Sequence, residues 1–177
     1  MNQKTKQSPF CGKKILATAK NFSMLFVIAL LSMTIFSACT SGMEKDAKKM
    51  GKLIYEYETD KMPEGDIEKA TEFSDQCDEK YKNEETEFTF LCIEAVMDLS
   101  IQDKNWEVAV NMLDEYISYL DDEFENMPLS KVNDIIKKAE KYISKLYSKK
   151  GDYSIDLLDD LRDLEDGLAE IKDELKD

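Results

Sequence analysis

The sequence predicts an all-α domain of five or six antiparallel helices, and three observations support this fold class. From residue 44 to residue 177, apolar side chains recur every three or four positions in six successive stretches, which is the period of an amphipathic helix. The same region has only two prolines, Pro63 and Pro128. It is also rich in Glu, Lys and Leu, which favour helices. We therefore expect no β-sheet, and either a helical bundle or a stack of helical hairpins.

Before this domain, the chain has a basic segment followed by an apolar run. Residues 1–38 contain five lysines and no acidic residue, and residues 21–43 carry no charge. This layout is typical of a secretory signal peptide. The 23 uncharged residues are also enough to cross about 30 Å of hydrocarbon, so an uncleaved membrane anchor is the alternative. Either interpretation places the rest of the chain outside the cytoplasm.

The apolar run ends in Phe36-Ser37-Ala38-Cys39. This ending resembles the lipobox of bacterial lipoproteins, with Phe36 where leucine is usual. The resemblance implies that residues 1–38 are removed as a signal peptide and that the thiol of Cys39 carries a diacylglyceryl group. Residues 39–43 would then form a lipid-attached tether, and residues 44–177 the helical domain. Thr40, rather than aspartate, follows the cysteine, which by the same resemblance implies sorting to the outer membrane.

The exported part is strongly acidic. Because the signal segment holds five of the 24 basic residues and none of the 38 acidic ones, 19 basic and 38 acidic residues remain. This charge argues against nucleic acid and anionic lipid surfaces as partners, since both attract basic surfaces. The acids are explained most simply as solvated helix faces that keep the protein soluble.

Two cysteines remain once the signal segment and the lipid acceptor are set aside. Cys11 belongs to the signal, whereas Cys77 and Cys92 lie on the predicted second and third helices. Disulfides persist outside the cytoplasm, so a Cys77–Cys92 disulfide is one interpretation. Two buried reduced thiols are the other.

The first two helices are predicted to form a hairpin around a loop at residues 60–65. Asp66 is expected to cap the second helix with its carboxylate. The polar residues 81–85 then turn the chain. The apolar stripes are Ala47, Met50, Leu53, Ile54 and Tyr57 in the first helix, and Ile67, Ala70, Phe73, Cys77 and Tyr81 in the second.

The third helix, about residues 85–101, is expected at the centre of the domain because it is apolar on two sides. One face has Phe88, Leu91, Cys92, Ala95 and Leu99, and the other has Phe90, Ile93, Met97 and Ile101. Asn105 is predicted to cap the fourth helix, with Trp106 largely buried against the third. Acidic residues lie at the C-terminal end of the fourth helix, where they oppose the helix dipole. This end is therefore either frayed or faces a basic partner.

The last hairpin has the clearest helical pattern. Ser130 is predicted to cap the fifth helix, and Gly151 to follow its end in a left-handed conformation. The sixth helix begins near residues 152–154 and carries a heptad seam. This seam either packs on the fifth helix and closes the core, or pairs with another protein. The seam residues are Leu157, Leu161, Leu164, Leu168, Ile171 and Leu175.

The starts of the second, fourth and sixth helices are similar to one another. Residues 65–70, 104–109 and 151–156 each have a turn residue followed by an aromatic or aliphatic one, at intervals of 39 and 47 residues. Intervals of this size are typical of stacked helical hairpins. Trp106 with Ala109, and Ile67 with Ala70, resemble the start of the second helix of a tetratricopeptide repeat. A plain bundle would give much the same pattern, so both architectures stay open.

No catalytic, cofactor or metal site is predicted. The chain has no histidine, which excludes Ser-His-Asp and Cys-His arrangements and removes the commonest metal ligand. It also has no glycine-rich phosphate loop. We therefore expect no cofactor and a non-enzymatic function: a membrane-anchored, extracytoplasmic lipoprotein that binds an unidentified protein partner. A structural envelope lipoprotein is the alternative, and an enzyme ranks third.

Overall fold

The structure, a computed structural model, describes residues 42–176 of the chain. Within these residues the chain forms six α-helices and no strand, so the predicted all-α fold is confirmed. Three single turns of 3-10 helix lie in the connections before α2, α5 and α6. The helices are α1 (Gly42–Glu58), α2 (Ile67–Tyr81), α3 (Glu85–Gln102), α4 (Trp106–Glu123), α5 (Leu129–Tyr147) and α6 (Ile155–Glu174).

The helix starts agree with the predictions in part. Asn105 and Ser154 cap α4 and α6, since their side chains accept hydrogen bonds from backbone N–H groups three residues later. Asp66 does not cap α2, because its carboxylate pairs with Lys69 at 2.9 Å instead. Ser130 does not cap α5 either. That helix begins at Leu129, and the extended residue Pro128, with φ −60° and ψ 135°, occupies the N-cap position instead.

Two further local predictions need correction. Gly42 and Met43, assigned to the tether, are the first residues of α1. Gly151 does not adopt a left-handed conformation, because α5 is followed by a 3-10 turn that redirects the chain without one. The left-handed residues of the described chain are Asp60, with φ 51°, and Lys104, with φ 58°, which follow the ends of α1 and α3.

The third helix occupies the centre, as its apolar pattern predicted. It makes its most extensive contacts with α1 on one side and α4 on the other. The approach of α1 to α3 is close because Gly51 faces α3 without a side chain. A Cβ atom at Gly51 would lie 2.5 Å from the Cβ of Ala95 and 2.9 Å from the carbonyl oxygen of Cys92.

The helices α1, α3 and α5 run in the same direction, side by side. Gly51 lies level with the middle of α3, and Tyr55, one turn further, donates to Asp103 just after α3 at 2.9 Å. Three ion pairs link α3 to α5 in the same order along both helices. They are Glu87–Lys131 at 2.7 Å, Glu94–Lys138 at 2.7 Å and Asp98–Lys145 at 3.5 Å. We call α1, α3 and α5 the outgoing helices.

The helices α2, α4 and α6 run in the opposite direction, and we call them the returning helices. At the start of α4, Trp106 packs on Tyr153, which precedes α6 by two residues. At the end of α4, the Asp121 carboxylate interacts with Glu170 and Glu174 near the end of α6. Matching starts and matching ends show that α4 and α6 are parallel neighbours.

The heptad seam of α6 packs within the domain. Leu161, Leu164, Leu168 and Ile171 are buried, and Leu157 and Leu175 are partly buried against the same core. The seam contacts α4 more extensively than α5. The intramolecular interpretation is therefore correct, with α4 rather than α5 as the main contact.

Next-but-one helices pack in parallel within this all-α bundle. The extensive contacts join α1 to α3, α3 to α4, and α4 to both α5 and α6. The contacts between α1 and α2 and between α5 and α6 are less extensive. The domain is therefore an all-α helical bundle, and the resemblance to stacked tetratricopeptide hairpins stays a prediction.

Candidate interaction surface

The predicted lipid acceptor lies outside the described residues. The same is true of Cys11 and of the apolar run before Cys39, so lipidation at Cys39 and removal of residues 1–38 stay predictions. In the described part of the chain, no helix has the length and apolarity needed to cross a membrane. Nor do residues 42–176 contain a group of three or more Cys, Asp or Glu side chains arranged to hold a metal ion.

Charge is distributed very unequally between the two sets of helices. Among the outgoing helices, α1 carries four acidic and four basic residues. The helix α3 carries four acidic residues and no basic one, and α5 carries two acidic and five basic residues. Among the returning helices, α2 carries five acidic and two basic residues. The helix α4 carries six acidic residues and no basic one, and α6 carries nine acidic and two basic residues. The outgoing helices are therefore nearly neutral, whereas the returning helices hold 20 acidic and four basic residues.

Ion pairs between helices neutralise the outgoing set. The three α3–α5 pairs place lysines of α5 on carboxylates of α3, and Glu94 also accepts a hydrogen bond from the buried Tyr116 hydroxyl at 3.0 Å. Each exposed pair contributes little to stability, generally below about 1 kcal/mol. Their main effect is electrostatic, because the acidic α3 is masked by the basic α5.

The basic residues of the returning helices do not mask their acids in the same way. Lys80 and Lys172 reach across to acids of the outgoing helices, Asp46 and Glu140. Arg162 pairs with Asp159 one turn earlier on α6, and Lys69 pairs with Asp66 just before α2. Most carboxylates of α4 and α6 are exposed, although Asp173 pairs with Lys176 and Glu165 accepts a hydrogen bond from the Tyr147 hydroxyl. We call the exposed carboxylates of α2, α4 and α6 the acidic surface.

Burial, together with neighbouring carboxylates, raises the pKa of two carboxyl groups on α4. Burial and the neighbouring Glu174, Asp122 and Glu170 raise the pKa of Asp121. Burial and the nearby Asp114 and Glu58 likewise raise the pKa of Glu115 on the same helix. Each shift means that the folded protein holds these groups in their charged form at a cost.

We expect the folded domain to become more stable as the pH falls from 7.5 to 5. For an acid with a raised folded-state pKa, the native protein binds the proton before the unfolded chain does. The electrostatic cost is therefore complete at neutral pH and is relieved as the pH falls toward the ordinary pKa, near 4. Urea midpoints at several pH values measure this trend.

The variant Asp121→Asn tests the source of the trend. It should raise stability at pH 7.5 by a few tenths of a kcal/mol, because it removes a negative charge from a helix C-terminus. It should also flatten the pH profile. Asp134→Asn is the control, since that exposed carboxylate already faces Lys137 at 3.5 Å. Equal slopes for Asp121→Asn and the unmodified protein would contradict the assignment.

The position of Trp106 differs from the prediction. Trp106 is partly buried rather than largely buried, because it is the first residue of α4 and lies at one end of the domain. Its ring packs on Tyr153, with ring centres 5.5 Å apart, and the Tyr153 hydroxyl donates to the Leu146 carbonyl at 2.7 Å. The nearby Ile155 is 77% exposed. Trp106, Tyr153 and Ile155 lie at the end of the domain opposite the C-terminal ends of α4 and α6, beside exposed charged residues such as Lys104 and Glu107.

Both cysteines of the described chain are buried and unbonded in this structure. Cys77 is 1% exposed and Cys92 is fully buried, each as a free thiol. The alternative of two buried reduced thiols therefore describes this structure, and bond formation under oxidising conditions stays a prediction.

Sequence reasoning found the excess of acids but missed their segregation. The signal was present, because α4 has no basic residue and α6 has nine acidic ones. Their alignment on parallel neighbouring helices became visible only with the fold.

In comparisons with protein-family models, curated proteins and solved structures, nothing matched this chain.

Proposed function

We propose that this protein is an extracytoplasmic lipoprotein anchored through Cys39, whose helical domain is a non-enzymatic module that binds a protein with a basic surface. The observation that carries the proposal is the segregation of charge onto the returning helices. It is supported by the lipobox-like sequence before Cys39.

The acidic surface suits a basic partner for an energetic reason. Burial raises the pKa of Asp121, and repulsion from the nearby Glu174, Asp122 and Glu170 raises it further. Lysine or arginine side chains of a partner would relieve this repulsion. Such complementary surfaces accelerate encounter and exclude acidic proteins, and their effect weakens as salt increases.

The anchor would also orient the surface. The helix α1 begins three residues after Cys39, a distance of at most about 10 Å along an extended chain. The C-termini of α4 and α6 lie on the same side of the domain as the N-terminus of α1. Their acids, including Asp121 and Glu174, would thus be close to the lipid headgroups, and anionic lipids would repel them. This arrangement favours a domain that projects from the membrane.

The test begins with protein extracted from its own membranes. Intact-mass analysis should find a chain that starts at Cys39 and carries the added mass of lipid. A chain that still begins at Met1 would exclude lipoprotein processing and leave the membrane-spanning anchor. Cross-linking in the intact envelope, followed by mass spectrometry, then identifies the protein that contacts the domain.

Binding is measured with the purified partner and two triple variants of equal charge. Asp160→Asn, Asp163→Asn and Glu170→Gln neutralise three exposed carboxylates of α6, and should weaken binding about tenfold at low salt, at about 0.5 kcal/mol for each charge. The control neutralises Glu64, Glu125 and Asp134, exposed acids that lie off the returning helices. Equal effects of the two variants, or no saturable partner, would contradict the proposal and favour a structural envelope role.

A further inference from the structure

The register of the α2–α3 hairpin brings Cys77 and Cys92 to the same level. The rings of Tyr81 and Phe88 are stacked across this hairpin, with centres 4.6 Å apart. Cys77 lies four residues before Tyr81, and Cys92 lies four residues after Phe88. Residues four apart lie on the same face of a helix. The two cysteines therefore face each other one helical turn beyond the stacked rings.

The backbone of α2 lies further from its neighbours than the backbones of the central helices lie from one another. Its apolar side chains Ala70, Phe73, Cys77 and Tyr81 are nevertheless buried. Polar contacts contribute to the docking: Asp46 accepts hydrogen bonds from the Lys80 ammonium at 2.6 Å and the Tyr81 hydroxyl at 2.8 Å. The Lys49 ammonium lies 3.7 Å from the centre of the Phe73 ring.

We propose that Cys77 and Cys92 form an intramolecular disulfide that fastens α2 to the central helix α3 and so slows the detachment of α2. The proposal uses the oxidising compartment implied by the proposed function. It does not depend on the acidic surface or on any partner. A disulfide requires Cα atoms within about 7 Å, which small facing residues on adjacent helices can reach.

The reaction is a thiol–disulfide exchange with a disulfide oxidant such as oxidised glutathione. One cysteine thiolate attacks the oxidant, forming a mixed disulfide and releasing one glutathione thiolate. The second cysteine thiolate then attacks the protein sulfur of the mixed disulfide and releases the second glutathione thiolate. The two cysteine protons end on the two glutathione thiols, and the two electrons reduce the oxidant.

Burial couples this reaction to the motion of α2. Burial raises the pKa of Cys77 to about 12 and raises that of Cys92 well above its usual value. The docked thiols are thus protonated at neutral pH and shielded from an oxidant. Oxidation requires α2 to open, and the new bond then prevents its release. In the reduced protein α2 can still detach.

The experiment compares the full chain after equilibration in oxidised or reduced glutathione buffers, with free thiols alkylated before digestion. Trypsin cleavage at lysines yields peptides 70–80 and 83–104, which contain Cys77 and Cys92. After oxidation these peptides should be linked and should separate on reduction. Amide exchange in α2 should slow by about tenfold. Closing a loop of about 15 residues should also raise Tm by roughly 10 °C.

The single variants Cys77→Ala and Cys92→Ala are the controls. Each can form only a mixed disulfide with glutathione, so neither should yield linked peptides or slower exchange in α2. Three results would overturn the proposal. The first is alkylation of both thiols after oxidation. The second is linkage only between separate chains, detected by mixing isotopically labelled and unlabelled protein. The third is a bond that forms without slowing exchange in α2. None of these results bears on the partner, so the proposed function is tested separately.

Discussion

Replacing Gly51 with alanine should lower the free energy of unfolding by about 1–3 kcal/mol, the usual cost of overpacking a core. Helix propensity alone predicts the opposite, because alanine is better than glycine in a helix by about 1 kcal/mol. The close contact at Gly51 decides whether the substitution raises or lowers the free energy of unfolding. The new Cβ would lie 2.5 Å from the Ala95 Cβ and 2.9 Å from the Cys92 carbonyl oxygen, and neither atom can rotate away. The helices α1 and α3 must therefore separate.

Gly167→Ala is a matched control for this substitution. Gly167 lies within α6, and no atom comes within 4 Å of the position of its Cβ. Here propensity acts without a clash, so the same substitution should stabilise the domain by up to about 1 kcal/mol. Urea denaturation of both variants measures whether each substitution raises or lowers the free energy of unfolding. A stabilised Gly51→Ala variant would show that α1 and α3 are further apart than described.

Leu161→Ala should cost about 2–5 kcal/mol, which is a large fraction of the stability of a domain of this size. Leu161 has no exposed surface, and it lies on the α6 seam that packs against α4. Truncation removes its transfer free energy and leaves a cavity between two helices that are fixed by other contacts. The helix α6 should then be the first to exchange its amide protons.

Ile155→Ala provides the control on the same helix. Ile155 is 77% exposed, so its truncation should change stability by less than about 0.5 kcal/mol. Chemical denaturation of the two variants measures how much the buried seam stabilises the domain. A small effect of Leu161→Ala would contradict the packing of α6 against α4.

The existence of the helices was predictable because it depends on local sequence. Each helix has an apolar stripe of helical period, and α3 was identified as central because it is apolar on two sides. Starts and ends were less predictable. Asp66 and Ser130 are good capping residues, yet Lys69 takes the carboxylate of Asp66 and Pro128 sets the start of α5. A nearby competing contact decides such cases, and a preference for one residue type does not reveal it.

The arrangement of the helices was not predictable, because it depends on contacts between distant residues. Gly51 has a clear role only when Ala95 is opposite it. The same limit applies to the candidate sites. The level of Cys77 relative to Cys92 depends on where the hairpin turns, and the stacked pair of Tyr81 and Phe88 fixes that point. The acidic surface likewise needed the directions of α4 and α6.

The parallel arrangement of alternate helices has a mechanical consequence. The helices α1 and α6 lie at opposite edges of the domain, and the main contacts join helices no more than two apart. A force pulling these two helices apart would act across the helix axes. It would load the interfaces between helices one after another rather than all at once.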